Sequence, residues 1–325
     1  MHCELVVPGL LSAQTGARFP SLELLLSRGR RREAQSQALE RWLHQAFDLG
    51  CQPLPAGPLT LIAADADPGA HFWLRADPVH LRLMRDRLIV VPAEAFAISR
   101  EEADALCAGL NAHFTGAMEI RALDPRRWVA RLTGKEPQLD GVPAIEAAGR
   151  EIALARSSDA QLTEIQMLLH AHPVNAAREG RGEPAVNSLW LWGAGRAPKA
   201  TSAWGSVLAD EPLAGGLARI ARARHGPLPA GARQWLAGGS EEGRHLLVLD
   251  ALRVPLALSQ VAEYRESLAV LERDWFAPLL AALRAGRIGM VTVHVPDGGA
   301  AGSFEAIRAD LRRFWRRPKA LERYA

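Results

Sequence analysis

Cysteine is scarce in this chain, and so are the motifs that usually announce chemistry. Cys3, Cys51 and Cys107 are the only three among 325 residues. They lie far apart with no ligand-pair spacing, which excludes a disulfide framework and a thiolate metal site and leaves reduced, mostly buried thiols. No apolar run approaches the roughly 20 residues of a membrane span, and no basic n-region followed by an apolar h-region opens the chain. A cytoplasmic protein with no membrane association is therefore expected. A dominant charge is missing too: 39 Lys and Arg against 36 Asp and Glu leave only +3, despite a pI near 9.0. That balance is weak ground for a polyanionic partner, and nucleic acid is not expected. Also absent are G-x-x-x-x-G-K-[ST], G-x-G-x-x-G after a first strand, and G-x-S-x-G, so the phosphate-loop, dinucleotide and nucleophile-elbow readings fall away. No internal repeat or low-complexity tract is present.

What remains is ordinary globular composition, 48% hydrophobic and 23% charged, in a chain long enough for two domains or one large domain with an insertion. Glu4–Val7 reads as a first strand closed by Pro8-Gly9, Phe19–Gly29 as a helix with glycine past its end, and Ala34–Leu49 as a second helix. Prolines 53, 55 and 58 form a stiff linker. Short strand-like pieces follow at 59–63, 71–75, 88–91, 118–121 and 127–132. They are interrupted by one helix from Ser99 to Phe114, whose start is a capping box of Ser99 and Glu102. Residues 134–158 read as a Gly-, Pro- and charge-rich loop and 160–170 as a helix. Strand and helix then alternate to the end, with a long helix at 261–283 kinked or shortened by Pro278 and a closing basic helix at 303–315. That alternation predicts a mostly parallel sheet.

The most distinctive stretch is His172–Gly195. Leu189-Trp190-Leu191-Trp192 suits a strand buried on both faces, and Gly193-Ala194-Gly195 a sharp turn at its C-terminal end, where open α/β sheets hold ligands. Asn175, Arg178, Glu179, Arg181 and Glu183 bring amide, guanidinium and carboxylate groups toward the same point. Asn175, Arg178, Asn187, Trp192, Gly193 and Gly195 are thus candidate contacts for an anion. Asp77-Pro78-Val79-His80 places a carboxylate and an imidazole one turn apart, a candidate acid–base pair or simply an aspartate-capped turn. His170-Ala171-His172 could hold a metal on a strand, but at a helix end before Pro173 it reads as a cap. Arg308, Arg312, Arg313, Arg316 and Arg317, opposite an apolar stripe, could serve an anionic surface or a protein partner, or stand as a solvated helix face.

The run His172-Pro173-Val174-Asn175, Arg178, Gly182, Pro184-Ala185, Trp190-Leu191-Trp192-Gly193-Ala194-Gly195 and Pro198 resembles a segment of the archaeal-type cofactor-independent phosphoglycerate mutases, of the alkaline phosphatase superfamily. Phe19–Gly29 resembles that superfamily's N-terminal helix, and Trp73-Leu74-Arg75 with Asp86-Arg87 and the 99–110 helix resembles the mutases' inserted domain. Together with Asp77–Leu81 and Glu164–His170, the chain is most similar to a bacterial branch labelled phosphoglycerate mutase, some members of which are labelled regulatory proteins. The resemblance implies an α/β fold with an alkaline-phosphatase-like, mostly parallel sheet flanked by helices and an inserted smaller α+β domain. The expected division is residues 1–58 and 160–325 for the core and 59–159 for the insertion.

An active mutase of this kind needs two divalent metals held by Asp and His, and a Ser or Thr that carries the phosphoryl group. Here the place of the first Asp-Gly ligand reads Val7-Pro8-Gly9, and proline offers a metal no side-chain donor. The serine-bearing loop that the resemblance expects after the first helices has no evident counterpart between Gly29 and Leu59, and the late ligands shrink to Asp250 and His294. The expectation is a mutase-like protein without cofactor or metal, non-catalytic or altered, that binds a small phosphorylated or acidic ligand or acts through a protein partner. The alternative is an active isomerase using Mn, Mg or Zn through other ligands.

Overall fold

The computed structural model describes residues 1–12, 16–50, 53–84, 87–134, 136, 142–148, 151–152, 160–238, 242–297 and 301–324. In chain order they form β1 (His2–Val6), α1 (Pro20–Arg28), β2 (Arg30–Glu33), α2 (Leu39–Ala46), α3 (Ala56–Ala63), β3 (Trp73–Met84), β4 (Arg87–Pro92), α4 (Arg100–His113), β5 (Met118–Asp124), β6 (Arg127–Leu132), α5 (Ala144–Ala147), β7 (Glu151–Ile152) and α6 (Ala160–His170). There follow α7 (Pro173–Gly180), β8 (Ser188–Gly195), β9 (Ser206–Ala209), α8 (Pro212–Ile220), β10 (Arg224–Gly226), α9 (Ala232–Ala237), β11 (Arg244–Val248), α10 (Arg253–Ala257), α11 (Val261–Leu271), α12 (Ala277–Arg284), β12 (Met290–Val295) and β13 (Gly302–Ile307). The chain makes two compact units, Met1–Gly50 with Lys199–Ala325, and Cys51–Pro198.

The first unit is built on a seven-stranded sheet of order β10-β9-β11-β1-β12-β13-β2. From β10 through β12 the neighbours are parallel, while β13 and β2 close one edge antiparallel. This is the mostly parallel sheet flanked by helices that the strand–helix alternation predicted. Cys3, Leu5 and Val7 point into a core shared with Leu22 and Leu25 of α1, Trp235 of α9, Leu268 of α11 and Leu279 of α12. Alternate β1 residues serve the other face, where the ring of Trp42 of α2 meets that of His294 at 5.2 Å, tilted by 52°. The expected single helix at 261–283 is two, α11 and α12, joined by a π-type turn at Glu272–Phe276. That turn releases the backbone bond that Pro278, at the start of α12, cannot make.

The closing helix expected at 303–315 is a correction. Gly302–Ile307 is strand β13, and its burial alternates residue by residue, with Gly302, Phe304 and Ala306 inward. Pairing with β12 on one side and β2 on the other overrides the helical spacing of Phe304, Ile307 and Leu311.

The second unit holds a six-stranded sheet: the path β5-β6-β3-β4-β7, with β8 pairing β3. Its bounds correct the expected insertion at 59–159. Residues 160–198 belong to it because β8 pairs antiparallel with β3 and α6 packs its Ile165 and Leu169 into the same core as Leu74 and Leu189. The strand expected at 59–63 is helix α3, buried on nearly every side, a short apolar run of the kind whose periodicity does not separate the two states. Pro78 sits inside β3 without harm. Pairing with β6 ends at Arg75 and pairing with β4 begins at Val79, so the missing donor falls where neither is bonded. Much of the expected 134–158 loop lies outside the described residues.

Gly193 and Gly195 do not make a turn after a strand; they are the end of β8 itself, where it runs against the start of α3. Gly193 has φ +58°, and a β-carbon there would lie 2.3 Å from that of Ala56. Gly193→Ala is expected to destabilise the protein by about 2–3 kcal/mol, combining the left-handed backbone with the clash, read as a lowered urea midpoint. An unchanged midpoint would mean that α3 can shift away freely.

Candidate functional site

In a parallel sheet the C-terminal strand edge is where loops converge and where helix N-termini can face a ligand. At that edge β1 is followed by Val7-Pro8-Gly9, β9 by Asp210-Glu211, β11 by Leu249-Asp250 and β12 by Pro296-Asp297. The β1 turn is held structurally. Gly9 N donates to Asp297 Oδ1 at 2.7 Å, and the Tyr264 hydroxyl donates to Gly9 O at 2.5 Å. Gly9 needs its φ of +80° to close this turn against Leu252 and Leu256.

The neighbouring carboxylates are engaged in the same way. Asp210 accepts from Leu228 N at 3.0 Å. Glu211 caps α8, accepting from Leu213 N at 3.1 Å and Ala214 N at 2.8 Å. Glu40 Oε1 accepts from Arg253 Nη2 at 2.8 Å, while its Oε2 is buried without a hydrogen bond. Burial pushes the Glu211 carboxyl up to about 7 against its two amide donors, and the charges of Glu40 and Asp250 push the same way. Among the described residues no three His, Cys, Asp or Glu side chains come together as a metal-holding group.

A second polar knot crosses the middle of the same sheet. Glu4, 2% exposed, accepts from Arg244 Nε at 2.6 Å and from His294 Nε2 at 3.1 Å, with His2 Nδ1 at 3.5 Å. Burial opposes its charge, but the hydrogen bonds from His294 and Arg244 outweigh it and hold the carboxyl at about 2. Burial lowers the His2 imidazole, whose Nε2 lies 2.8 Å from Thr292 Oγ1. His294, a possible remnant ligand in the sequence, is thus a partner of Glu4 and of Trp42.

All of the candidate residues taken from 77–80 and 172–195 lie in the second unit, and the structure brings them together as braces. Asn175 bridges Leu169 O at 2.7 Å and Val186 O at 2.8 Å, and accepts from Val186 N. Arg178 is 1% exposed and lies over the Phe96 ring. It donates to Pro184 O and Ala97 O at 2.8 Å each and to Glu102 Oε2 at 2.5 Å. Asn187 closes a two-bond ring on the backbone of Leu81. Trp192 Nε1 donates to Asp77 Oδ2 at 2.7 Å, and Arg75 holds Asp77 Oδ1 at 2.5 and 2.9 Å while lying over the Trp192 ring. Burial nonetheless raises the Asp77 carboxyl, against Arg75 and Trp192. His80 Nδ1 donates to Ala185 O at 2.9 Å. Asp77 and His80 are three apart on a strand, hence on opposite faces rather than one turn apart. His172 caps α7, its Nδ1 accepting from Val174 N at 3.2 Å.

Sequence reasoning missed Glu40 and Glu211. Glu211-Pro212 carried a local signal, an acceptor followed by proline at the first helical position. Nothing local announced that Glu40, 171 positions earlier by subtraction of the two residue numbers, lies near it.

No protein-family model and no curated protein matches the chain. Among solved structures it is similar to the PH0037 protein of Pyrococcus horikoshii, at 14% identity and a TM-score of 0.54 over 94% of this chain and 87% of that one. It also aligns with a cofactor-independent phosphoglycerate mutase from Thermoplasma acidophilum, at 17% identity and a TM-score of 0.43 over 94% and 89%. At that identity the likeness to the Pyrococcus protein is one of fold.

Proposed function

We propose that this chain is a phosphoglycerate-mutase-like protein that does not perform two-metal phosphoryl transfer and acts instead in binding or regulation. The observation that carries the reading is the β1 turn. Where the sequence resemblance expects an Asp-Gly metal ligand stands Pro8-Gly9, with Gly9 fastened through both backbone polar groups to Asp297 and Tyr264. A carboxylate that accepts a backbone N–H at 2.7 Å is a structural cap first. The capping role of Glu211 and the pairing of Glu40 Oε1 with Arg253 support the same reading, since both carboxylates are engaged within the fold. The resemblance carries over a small phosphorylated or acidic molecule as the ligand class, while Asn175, Arg178 and Asn187 each also brace the chain's own backbone.

The test is the metal content of the purified protein, measured alongside conversion of 3-phosphoglycerate to 2-phosphoglycerate with added manganese. The expected result is no stoichiometric metal and no turnover. Two metals per chain with turnover abolished by Asp250→Asn would overturn the proposal and make the protein an active isomerase.

A further inference from the structure

The segment after β13 is the most cationic stretch of the chain and the one the proposed function leaves unused. From Arg308 to Lys319 it carries six cations against one carboxylate, Asp310. That carboxylate is engaged, with Arg313 at 2.8 Å and with Ile307 N at 3.2 Å. The segment is not an α-helix and holds only a 3-10 turn at Asp310–Arg312. It arches over the C-terminal end of α1, where Arg28 donates to Leu311 O, Arg313 to Arg28 O at 3.2 Å, and Arg316 to Gly29 O at 3.1 Å. Beyond them Lys319 N donates to Ser27 Oγ and Leu321 is buried.

Arg313 and Arg316 therefore staple the chain down on either side of Phe314-Trp315, and the two aromatics between them project. Phe314 is 77% and Trp315 67% exposed, two large exposed aromatics adjacent in the chain. Their rings meet edge to face at 5.2 Å and 82°. Flanking them in the chain, Arg308, Arg312, Arg317 and Lys319 are exposed, as is Arg30 on edge strand β2, and none of these five has an acidic partner among the described residues.

We propose that the Phe314–Trp315 tip and its ring of cations form a peripheral docking surface for an anionic lipid bilayer. Two large apolar side chains held out in water are unfavourable unless something covers them. A projecting wedge, unlike a recessed groove, suits a medium that yields around it. Aromatic side chains settle at the headgroup level, and guanidinium groups at their flanks meet lipid phosphates while their stems stay apolar. The perpendicular pair offers no two parallel ring faces, which successive bases of a single-stranded nucleic acid would use. This surface lies on the membrane without spanning it, so it agrees with the absence of any helix, among the described residues, long and apolar enough to cross one.

The experiment is flotation of the full chain with vesicles of phosphatidylcholine containing about 30% phosphatidylserine, each cation near such a surface adding on the order of fivefold to the affinity. The same protein is then tried with pure phosphatidylcholine and at about 0.5 M salt, where exposed charges are screened. Binding is expected to the anionic vesicles alone, to fall at least tenfold in salt, and to fall comparably in Phe314→Ser/Trp315→Ser and in Arg312→Glu/Arg317→Glu. These side chains are exposed, so the variants are expected to keep the parent's unfolding midpoint. No vesicle binding would overturn the proposal, as would anionic binding untouched by the aromatic substitutions. Binding of a fluorescent oligothymidylate in place of vesicles, lost in the same variants, would transfer the surface to nucleic acid.

Discussion

Arg178→Ala is expected to lower the stability of the second unit by about 3–5 kcal/mol, the usual loss when one partner of a buried hydrogen-bonded ion pair is removed. The guanidinium joins three otherwise separate pieces of chain: Pro184 O on the segment leading to β8, Ala97 O before α4, and Glu102 inside the α4 capping box. Truncation leaves two carbonyls without their donor and opens a cavity beside Phe96. Glu102 keeps Arg181, so its carboxylate is not stranded, which places the loss toward the lower half of the range. Arg178→Lys restores the charge but not the three-way fork and is expected to recover less than half of the loss. For a unit of this size the shift in Tm is on the order of 10 °C. A change of Tm within about 2 °C, together with a selective loss of affinity for 3-phosphoglycerate, would instead make Arg178 a ligand donor, as its place in the mutase-like stretch suggested.

The parts of this molecule that were legible in the sequence are those decided within a few residues. The α4 start is one: Ser99 Oγ accepts from Glu102 N and Glu102 Oε2 from Ser99 N, the two halves of the capping box. The strands at 118–124 and 127–132 are another, joined by a tight turn that Asp124 caps through Arg126 N and Arg127 N. What escaped was decided by distant pairing. The 302–307 segment has helical spacing in its apolar residues and still folds as a strand, because β12 and β2 stand on either side of it. The Leu189–Trp192 run was legible as a strand, but its sheet was not. It lies antiparallel to β3 with Trp190 and Leu191 only partly buried, and not in the parallel sheet whose edge could hold a ligand.

The same distinction separates the candidate residues. Asn175, Arg178 and Asn187 are chemically conspicuous and sit in a recognisable motif, and each spends hydrogen bonds on bracing the chain's own backbone. Of the groups with perturbed titration, Asp77 was a candidate in the sequence, but Glu4 and Glu211 were inconspicuous, because burial and neighbours rather than residue type shift a carboxyl. Glu4 meets Arg244 and His294 across separations of 240 and 290 residues, and nothing in one dimension connects them.

Glu4 and Glu211 should give the first unit two opposed pH dependences. Glu4 is held at about 2 in the fold, below its ordinary 4.5, so the folded state prefers the charged form. Its stabilisation is fully present above about pH 4.5 and is lost as pH falls toward 2, by about 2 kcal/mol once the half-exposed Arg244 is discounted for solvent screening. Glu211 is raised from 4.5 to about 7, so the folded state prefers the protonated form. Its contribution is greatest below pH 4.5 and declines as pH rises to 7, by about 3 kcal/mol. Glu4→Ala is expected to cost about 3 kcal/mol at neutral pH, since Arg244 and His294 lose a shared acceptor, and to flatten the acid limb of a stability–pH curve measured by urea unfolding. Glu211→Gln should leave that limb intact and remove the decline between pH 4.5 and 7. It forfeits one capping acceptor, worth about 1 kcal/mol, yet relieves a buried charge facing Glu40 and Asp250. The variant is therefore expected to overtake the parent above pH 7 while falling below it under acid conditions. Parallel curves for Glu211→Gln and the parent would show that the Glu211 carboxylate finds more stabilisation at the β9 edge than its two amide donors provide, and a bound cation there would then be the first thing to seek.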